Sequence, residues 1–225
     1  MSSFQDTHRE MQQGRIARPQ LDLVRSRSRY ERWIKPVFDR VLGMILLVAL
    51  TPVLLVTGFL VRLFIGKPVF YRQVRIGAGG EPFELYKLRT MLPDRRVAEL
   101  PYVGPERRVV HKSKRDPRVL PVGSALRSLR LDEVPQIWNV VKGDMSLVGP
   151  RPELPEIVSS YEDWQHRRHA VKPGMTGLWQ VSDRNGLPMH ECTDLDIDYL
   201  SQVSLGTDLS ILARTPWAMV RRSGY

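Results

Sequence analysis

Val41-Leu-Gly-Met-Ile-Leu-Leu-Val-Ala-Leu-Thr51-Pro52-Val-Leu-Leu-Val-Thr-Gly-Phe-Leu-Val61 contains no charged side chain. A bilayer core about 30 Å thick needs roughly 20 such residues in a helix. Both faces of the run are apolar, which disfavours a core helix of a water-soluble domain. Pro52 stands near the middle, where it removes a backbone hydrogen bond and clashes with the preceding turn. The Thr51 hydroxyl is placed to satisfy the freed backbone. The flanks are basic on both sides, with Lys35 and Arg40 before and Arg62, Lys67, Arg72 and Arg75 after. Such residues mark cytoplasmic flanks. The run therefore enters and returns through a break at Thr51-Pro52, or it crosses as one proline-kinked helix. The residues alone support both paths.

Outward from this run the chain changes character. Residues 1–30 form a polar tail that becomes basic at Arg25, Arg27 and Arg29, and are expected to be mobile away from a membrane. They do not read as a secretory signal, because the apolar run begins too far in. With 34 Lys and Arg against 24 Asp and Glu, the net charge of +10 points to anionic partners. One cysteine, Cys192, excludes an internal disulfide and any multi-cysteine metal site.

After the run, Val69-Phe-Tyr71 and Phe83-Glu-Leu-Tyr86 read as strands joined by the turn Gly77-Ala-Gly-Gly80. The Arg- and Pro-rich stretch from Pro93 to Arg118 reads as a long loop. Ser124 is a candidate helix cap. Pro135 suits the first turn of a following helix, which Gly143 would end. A further helix is expected over Tyr161–Val171. The tail from Asp194 to Arg222 reads as helical, with interruptions at Gly206 and near Pro216.

Four constellations have the chemistry of a phosphate site. Asp132-Glu133 would lie at a helix N-terminus, where the dipole favours ionised carboxylates and the backbone N–H groups suit a phosphate. An ionised Asp can attack phosphorus, and a neighbouring Glu can hold Mg²⁺. Taken as a bare dipeptide, the pair is more often a helix cap. Lys87 and Arg89 alternate on a strand, and Arg127 and Arg130 precede the acidic pair; Arg suits bidentate phosphate contact, while Lys acts as a point charge. Arg151 sits between two prolines in Gly149-Pro-Arg151-Pro, a stiff setting for a guanidinium. Lys172-Pro-Gly-Met-Thr176-Gly-Leu-Trp-Gln180, followed by Arg184, could line a pocket for a base or sugar, or plug a core. His166 and His169 match no metalloenzyme spacing and are expected at the surface.

Read together, these motifs resemble the bacterial sugar transferases that are monotopic polyprenyl-phosphate phosphoglycosyl transferases. The resemblance runs in order through Lys35-Pro-Val-Phe-Asp39-Arg40, Thr51-Pro52, Tyr86-Lys-Leu-Arg-Thr-Met91, Leu131-Asp-Glu-Val-Pro-Gln136, Asn139 to Glu153, Lys172-Pro-Gly-Met-Thr-Gly177 and Asp208. It covers nearly everything after the tail. Leu92 to Lys114 has no counterpart in the family pattern, and Arg130 stands where many relatives carry a small hydroxyl residue.

The resemblance implies an α-rich α/β fold. A re-entrant helix-break-helix over 31–66 would precede a catalytic domain over 67–225, which holds a small β-hairpin and interfacial amphipathic helices. It implies the minimal form, without an N-terminal membrane bundle, on the cytoplasmic face of a bacterial inner membrane. The expected reaction moves sugar-1-phosphate from a UDP-sugar to polyprenyl phosphate. Asp132 would be the nucleophile, and Glu133, with Asp132, the Mg²⁺ or proton partner. Lys87, Arg89 and Arg151 would bind phosphate. Arg127, Thr176, Gln180, Arg184 and Asp208 are candidates for the substrate pocket. Membrane lipids and a homodimer are further expected partners; nucleic acid is not.

Overall fold

The computed structural model describes residues 27–92 and 118–222. The described chain divides into two compact units. One is built from residues up to 49, 72–86 and 136 onward; the other from 50–71 and 87–135. The sequence reading of residues 1–26, and of all but the ends of the stretch after Leu92, lies outside the described residues.

The apolar run forms the middle and greater part of α1, Lys35–Phe64, preceded by a wide turn over Tyr30–Ile34. Thr51 and Pro52 both lie inside α1 with no coil residue at that point. The expected break at Thr51-Pro52 therefore involves no coil residue: the proline is internal to one run of helical residues. A lost backbone bond is tolerated where neighbouring groups re-satisfy the carbonyls. Pro52 frees the Val48 carbonyl; separately, Thr57 back-bonds within the helix, donating to the Val53 carbonyl at 2.7 Å. The division between the units falls at Ala49/Leu50, beside the proline.

Trp33, Val37, Val41, Ile45, Val48, Leu55, Phe59 and Leu63 of this segment are exposed, among them Trp33 at 70% and Leu55 at 69%. Tyr30–Phe64 is long and apolar enough to cross a membrane and only 11% of its most apolar stretch is buried. An apolar surface of that extent is solvated by lipid. The chain is a monotopic, membrane-associated protein facing the cytoplasm.

In the first unit, Phe38, Leu42 and Leu46 of α1 pack on a core of Phe83, Leu85, Val140, Met145, Leu147, Val148, Tyr199, Leu200 and Ile211. β1 (Phe70–Ile76) and β2 (Pro82–Leu88) form an antiparallel hairpin, as the sequence predicts. Gly79 and Gly80 turn it with φ of 68° and 78°, which side chains resist. β3 (Ser146–Val148) and β4 (Gly174–Thr176) pair in parallel, Ser146 opposite Gly174 and Val148 opposite Thr176. Their approach is so close that a Cβ on Gly149 or Gly174 would overlap the other segment's backbone.

The expected helix over Tyr161–Val171 is instead a short helix at Asp163–His166 and a 3₁₀ turn at Arg167–Ala170. The carboxyl-terminal region holds helices at Thr193–Ser201 and Leu205–Arg222, parted at 202–204 and continuous through Gly206 and Pro216. Leu205, Leu209, Trp217 and Val220 of the last helix are exposed.

The second unit has its own core of Val61, Ile65, Leu88 and Leu126, with Val69, Leu120, Val122 and Leu131 against it. α2 is Pro121–Ser128, so Ser124 lies within it rather than capping it; Pro121 opens the helix. Gly123 of α2 passes so close to the Thr90 carbonyl that any Cβ there would overlap it. The chain then re-enters the first unit with α3, Gln136–Lys142, which begins just after Pro135 and ends at Gly143, whose φ is 91°.

Candidate active site

Asp132 and Glu133 occupy a 3₁₀ turn, Leu131–Glu133, between α2 and α3. The chain enters it through Arg130 in the left-handed region, with φ 59° and ψ 16°. That conformation is uncommon for a side-chain-bearing residue and stores about 1–2 kcal/mol of strain. It reverses the chain sharply after α2 and turns both carboxylates toward the cations of the same unit.

The two acids are treated differently. Glu133 is anchored: Lys87 Nζ from β2 stands 3.1 Å from its Oε1, and Arg130 Nη1 lies 3.7 Å from its Oε2. Asp132 has no hydrogen bond or ion pair among the described residues, although Lys87, Arg127 and Arg130 all bear on its charge. Partial burial, followed by the like charge of Glu133, raises its pKa, and the three cations pull it back only in part. The helix dipole expected to favour ionisation does not prevail: the turn is one short 3₁₀ loop, and burial, then the Glu133 charge, act the other way. A carboxylate held in this way is more basic, and hence a better nucleophile, than an exposed one.

Thr90, which the sequence reading passed over, accepts a 2.7 Å hydrogen bond from Arg127 Nε and fixes that guanidinium. Lys87 and Arg89 do not act as a pair. Lys87 reaches Glu133, whereas Arg89 Nη1 donates to the Lys67 carbonyl at 2.9 Å, because β2 ends at Leu88 and the alternation stops there. The second unit thus brings together Lys87, Arg127, Arg130, Asp132 and Glu133.

Among the described residues no group of three or more His, Cys, Asp or Glu side chains is arranged to hold a metal. Mg²⁺ commonly takes only one or two protein carboxylates and completes its shell with water and substrate phosphates. The mutual repulsion of Asp132 and Glu133 fits that donor set, and these are the two residues that would hold it.

Arg151, Thr176, Gln180, Arg184 and Asp208 belong to the first unit. The Arg151 carbonyl accepts from Arg168 Nη2 at 2.8 Å. Arg168 is itself almost wholly buried, ion-paired to Asp196 at 2.6 Å and bonded to the Tyr161 hydroxyl. A charge so buried needs this full set of partners. His169 beside it is buried too, contrary to the surface position its sequence suggested. Burial and the adjacent Arg168 push its pKa down to about 3, so it is neutral. Neither Arg168 nor Asp196 stands out in sequence, since each lies in an ordinary run of charges. Arg168 and Asp196 hold the Pro150–Arg151–Pro152 backbone in place.

Thr176 meets Thr215 hydroxyl to hydroxyl at 2.8 Å, tying β4 to the last helix. Gln180 Nε2 donates to the Met175 carbonyl at 3.4 Å. Arg184 pairs with Asp194 at an exposed position. Asp208 is 1% exposed, and its carboxylate takes Lys35 Nζ at 2.6 Å and the hydroxyls of Tyr30 and Tyr199, each at 2.7 Å.

Comparison with known proteins places these features in a family. The family model described as bacterial sugar transferase matches residues 30–222. An uncharacterized sugar transferase, EpsL, of Bacillus subtilis is 41% identical over 182 residues, 81% of this chain and 85% of the relative. The exopolysaccharide production protein ExoY of Sinorhizobium fredii is 38% identical over 198 residues, 85% of this chain and 88% of its own. The undecaprenyl-phosphate galactose phosphotransferase of Salmonella typhimurium is 36% identical over 203 residues, 88% of this chain but 42% of its own length. With an exposed apolar helix and a paired-carboxylate turn flanked by cations, this chain belongs to the bacterial sugar transferase family.

Proposed function

We propose that this transferase moves a sugar-1-phosphate from a UDP-sugar to polyprenyl phosphate, through a covalent phosphosugar on Asp132. The observation that carries the reading is the contrast within the acidic pair. Glu133 is held by Lys87 and Arg130, while Asp132 is unpaired among the described residues and raised in basicity. In the first step an Asp132 oxygen attacks the sugar-bearing phosphorus. The bond from that phosphorus to the bridging oxygen breaks, and the nucleoside monophosphate leaves with the electron pair. In the second step an oxygen of the lipid phosphate attacks the same phosphorus, and the Asp132 carboxylate is released.

Such transfers depend on positioning and on neutralising phosphate charge. Lys87, Arg127 and Arg130 supply that charge around Asp132, and Arg151 and Arg89 are assigned to the donor's diphosphate. Mg²⁺ held by Glu133 and Asp132 would add charge neutralisation when bound. Thr176, Gln180 and Arg184 are assigned to the pocket for the nucleoside or sugar. Asp208, bound to Lys35 of α1, is assigned to seating the membrane helix. The helix is read as re-entrant, bent at Pro52, because basic residues flank both ends of the apolar run. The last helix is read as lying in the interface, with Trp217 and Val220 toward lipid. The relatives named for exopolysaccharide production and for undecaprenyl-phosphate transfer support a role at the first membrane step of polysaccharide or glycoconjugate synthesis.

The test is to incubate the detergent-solubilised protein with single UDP-sugars, without lipid acceptor, and to weigh it intact. One UDP-sugar is expected to leave an adduct with the mass of its phosphosugar, absent in Asp132→Asn. No adduct with any donor that supports turnover would overturn the covalent route.

A further inference from the structure

Arg40 and Lys172 converge in the first unit on a spot that nothing in the proposed chemistry uses. A Cβ on Gly143, at the end of α3, would stand 2.9 Å from Arg40 Nη2 and 3.5 Å from Lys172 Nζ. Neither cation has a hydrogen bond or an ion pair among the described residues. The two acids nearest in charge are engaged elsewhere. Asp39 takes Ser146 Oγ at 2.7 Å, the Leu147 amide at 3.2 Å and Lys35 at 3.7 Å. Asp144 takes Lys142 at 3.0 Å and Asn139 Nδ2 at 3.2 Å. Carbonyls at the end of α3 attract cations, yet they do not balance two of them. Partial burial, then Arg40, and also Arg27, pull the Lys172 pKa down against Asp39 and Asp144. An anion on this spot would relieve that strain.

The spot also has a level. Arg40 is the last charged residue before the apolar run, and Val41, Met44, Ile45 and Val48 beyond it are exposed. With that run in the hydrocarbon, Arg40 stands where lipid phosphates stand. We propose that Arg40 and Lys172 form a seat for the phosphate of an anionic bilayer phospholipid. The Arg supplies a forked donor and the Lys a point charge, a suitable pair for a phosphodiester. The proposal does not depend on Asp132 chemistry.

The full-length protein would be placed in nanodiscs of equal phosphatidylcholine and phosphatidylglycerol, extracted into neutral detergent, and its retained lipids counted by native mass spectrometry. The wild type is expected to retain phosphatidylglycerol in preference. Arg40→Gln and Lys172→Gln should each reduce that preference about fivefold, while Arg40→Lys with Lys172→Arg should keep most of it. The conservative pair also serves if a glutamine variant fails to fold. An unchanged preference in the double glutamine variant would overturn the seat. So would an equal loss in Arg62→Gln, a charge on the other flank of the run. Displacement of phosphatidylglycerol by stoichiometric polyprenyl phosphate in the wild type, lost in the glutamine variants, would also overturn it, by assigning the spot to the acceptor.

Discussion

Asp208 and Asp132 are both aspartates set beside lysines, one in each unit, and their surroundings differ in kind. Asp208 is sealed from solvent and well bonded, with Lys35 and Tyr30 on one oxygen and Tyr199 on the other. Asp132 is half-buried, has cations around it and no hydrogen bond or ion pair of its own among the described residues, and sits against a like charge. A carboxylate that already accepts three short bonds has little left to offer, and moving it costs a buried salt bridge. An unsaturated one beside cations is ready to form a bond to phosphorus while its surroundings accept the incoming negative charge. The proposed assignment makes Asp208 the carboxylate that holds an element and Asp132 the one that reacts, and it can be tested from both sides.

The largest effect is expected at Asp132. Asp132→Asn should lower sugar-phosphate transfer by on the order of 10³-fold or more, with thermal unfolding in detergent almost unchanged. Near-normal turnover would erase the contrast. Asp208→Asn should do the reverse. Leaving Lys35 without its closest anion should destabilise by about 3–5 kcal/mol, seen as an early thermal transition. Adding Lys35→Met to Asp208→Asn should recover part of that loss, because it removes the buried cation left without its closest anion and keeps an acceptor for the two tyrosine hydroxyls.

Glu133→Gln sharpens the comparison through pH. The raised pKa of Asp132 means that its nucleophilic, ionised form is lost on acidification at a higher pH than for an exposed aspartate. Removing the Glu133 charge takes away a raising influence and leaves Lys87 and Arg130 to act on Asp132. The acidic limb of the turnover profile should therefore move to lower pH, even as maximal turnover falls. A limb that stays put, or rises, would place the titrating group elsewhere. The smallest effect belongs to Arg130→Gly. It relieves the φ of 59° but loses the 3.7 Å contact with Glu133, so the net change should be under about 1 kcal/mol in thermal unfolding.

The fold was readable in the sequence where a pattern is local. Twenty-one uncharged residues announce a membrane helix, and Gly77–Gly80 between two short apolar alternations announces the hairpin. Pro52 was legible as a feature, and the structure adds that it sits inside helical residues with no coil around it. The Tyr161–Val171 segment misled because Arg168 and His169, polar by type, turn inward. Burial of that kind depends on partners as distant as Asp196 and Arg151. Within the candidate site, Asp132, Glu133, Lys87 and Arg127 were legible as residues to watch, and the structure brings them together. Thr90 was not, because a threonine becomes a positioning residue only by the place of its hydroxyl.

What the sequence determined by itself was the class of chemistry and its setting: adjacent carboxylates near a proline, arginines at close intervals, and an apolar run of bilayer length. These follow from composition and spacing, which one chain carries whatever its path. Only the tertiary structure decided which acid of the pair is spent on cations and which is left unbonded, that Asp208 is sealed to Lys35, and that Arg40 and Lys172 share one uncompensated spot. Each of these depends on the distance between side chains far apart in sequence, and a Coulomb energy follows that distance and the local burial.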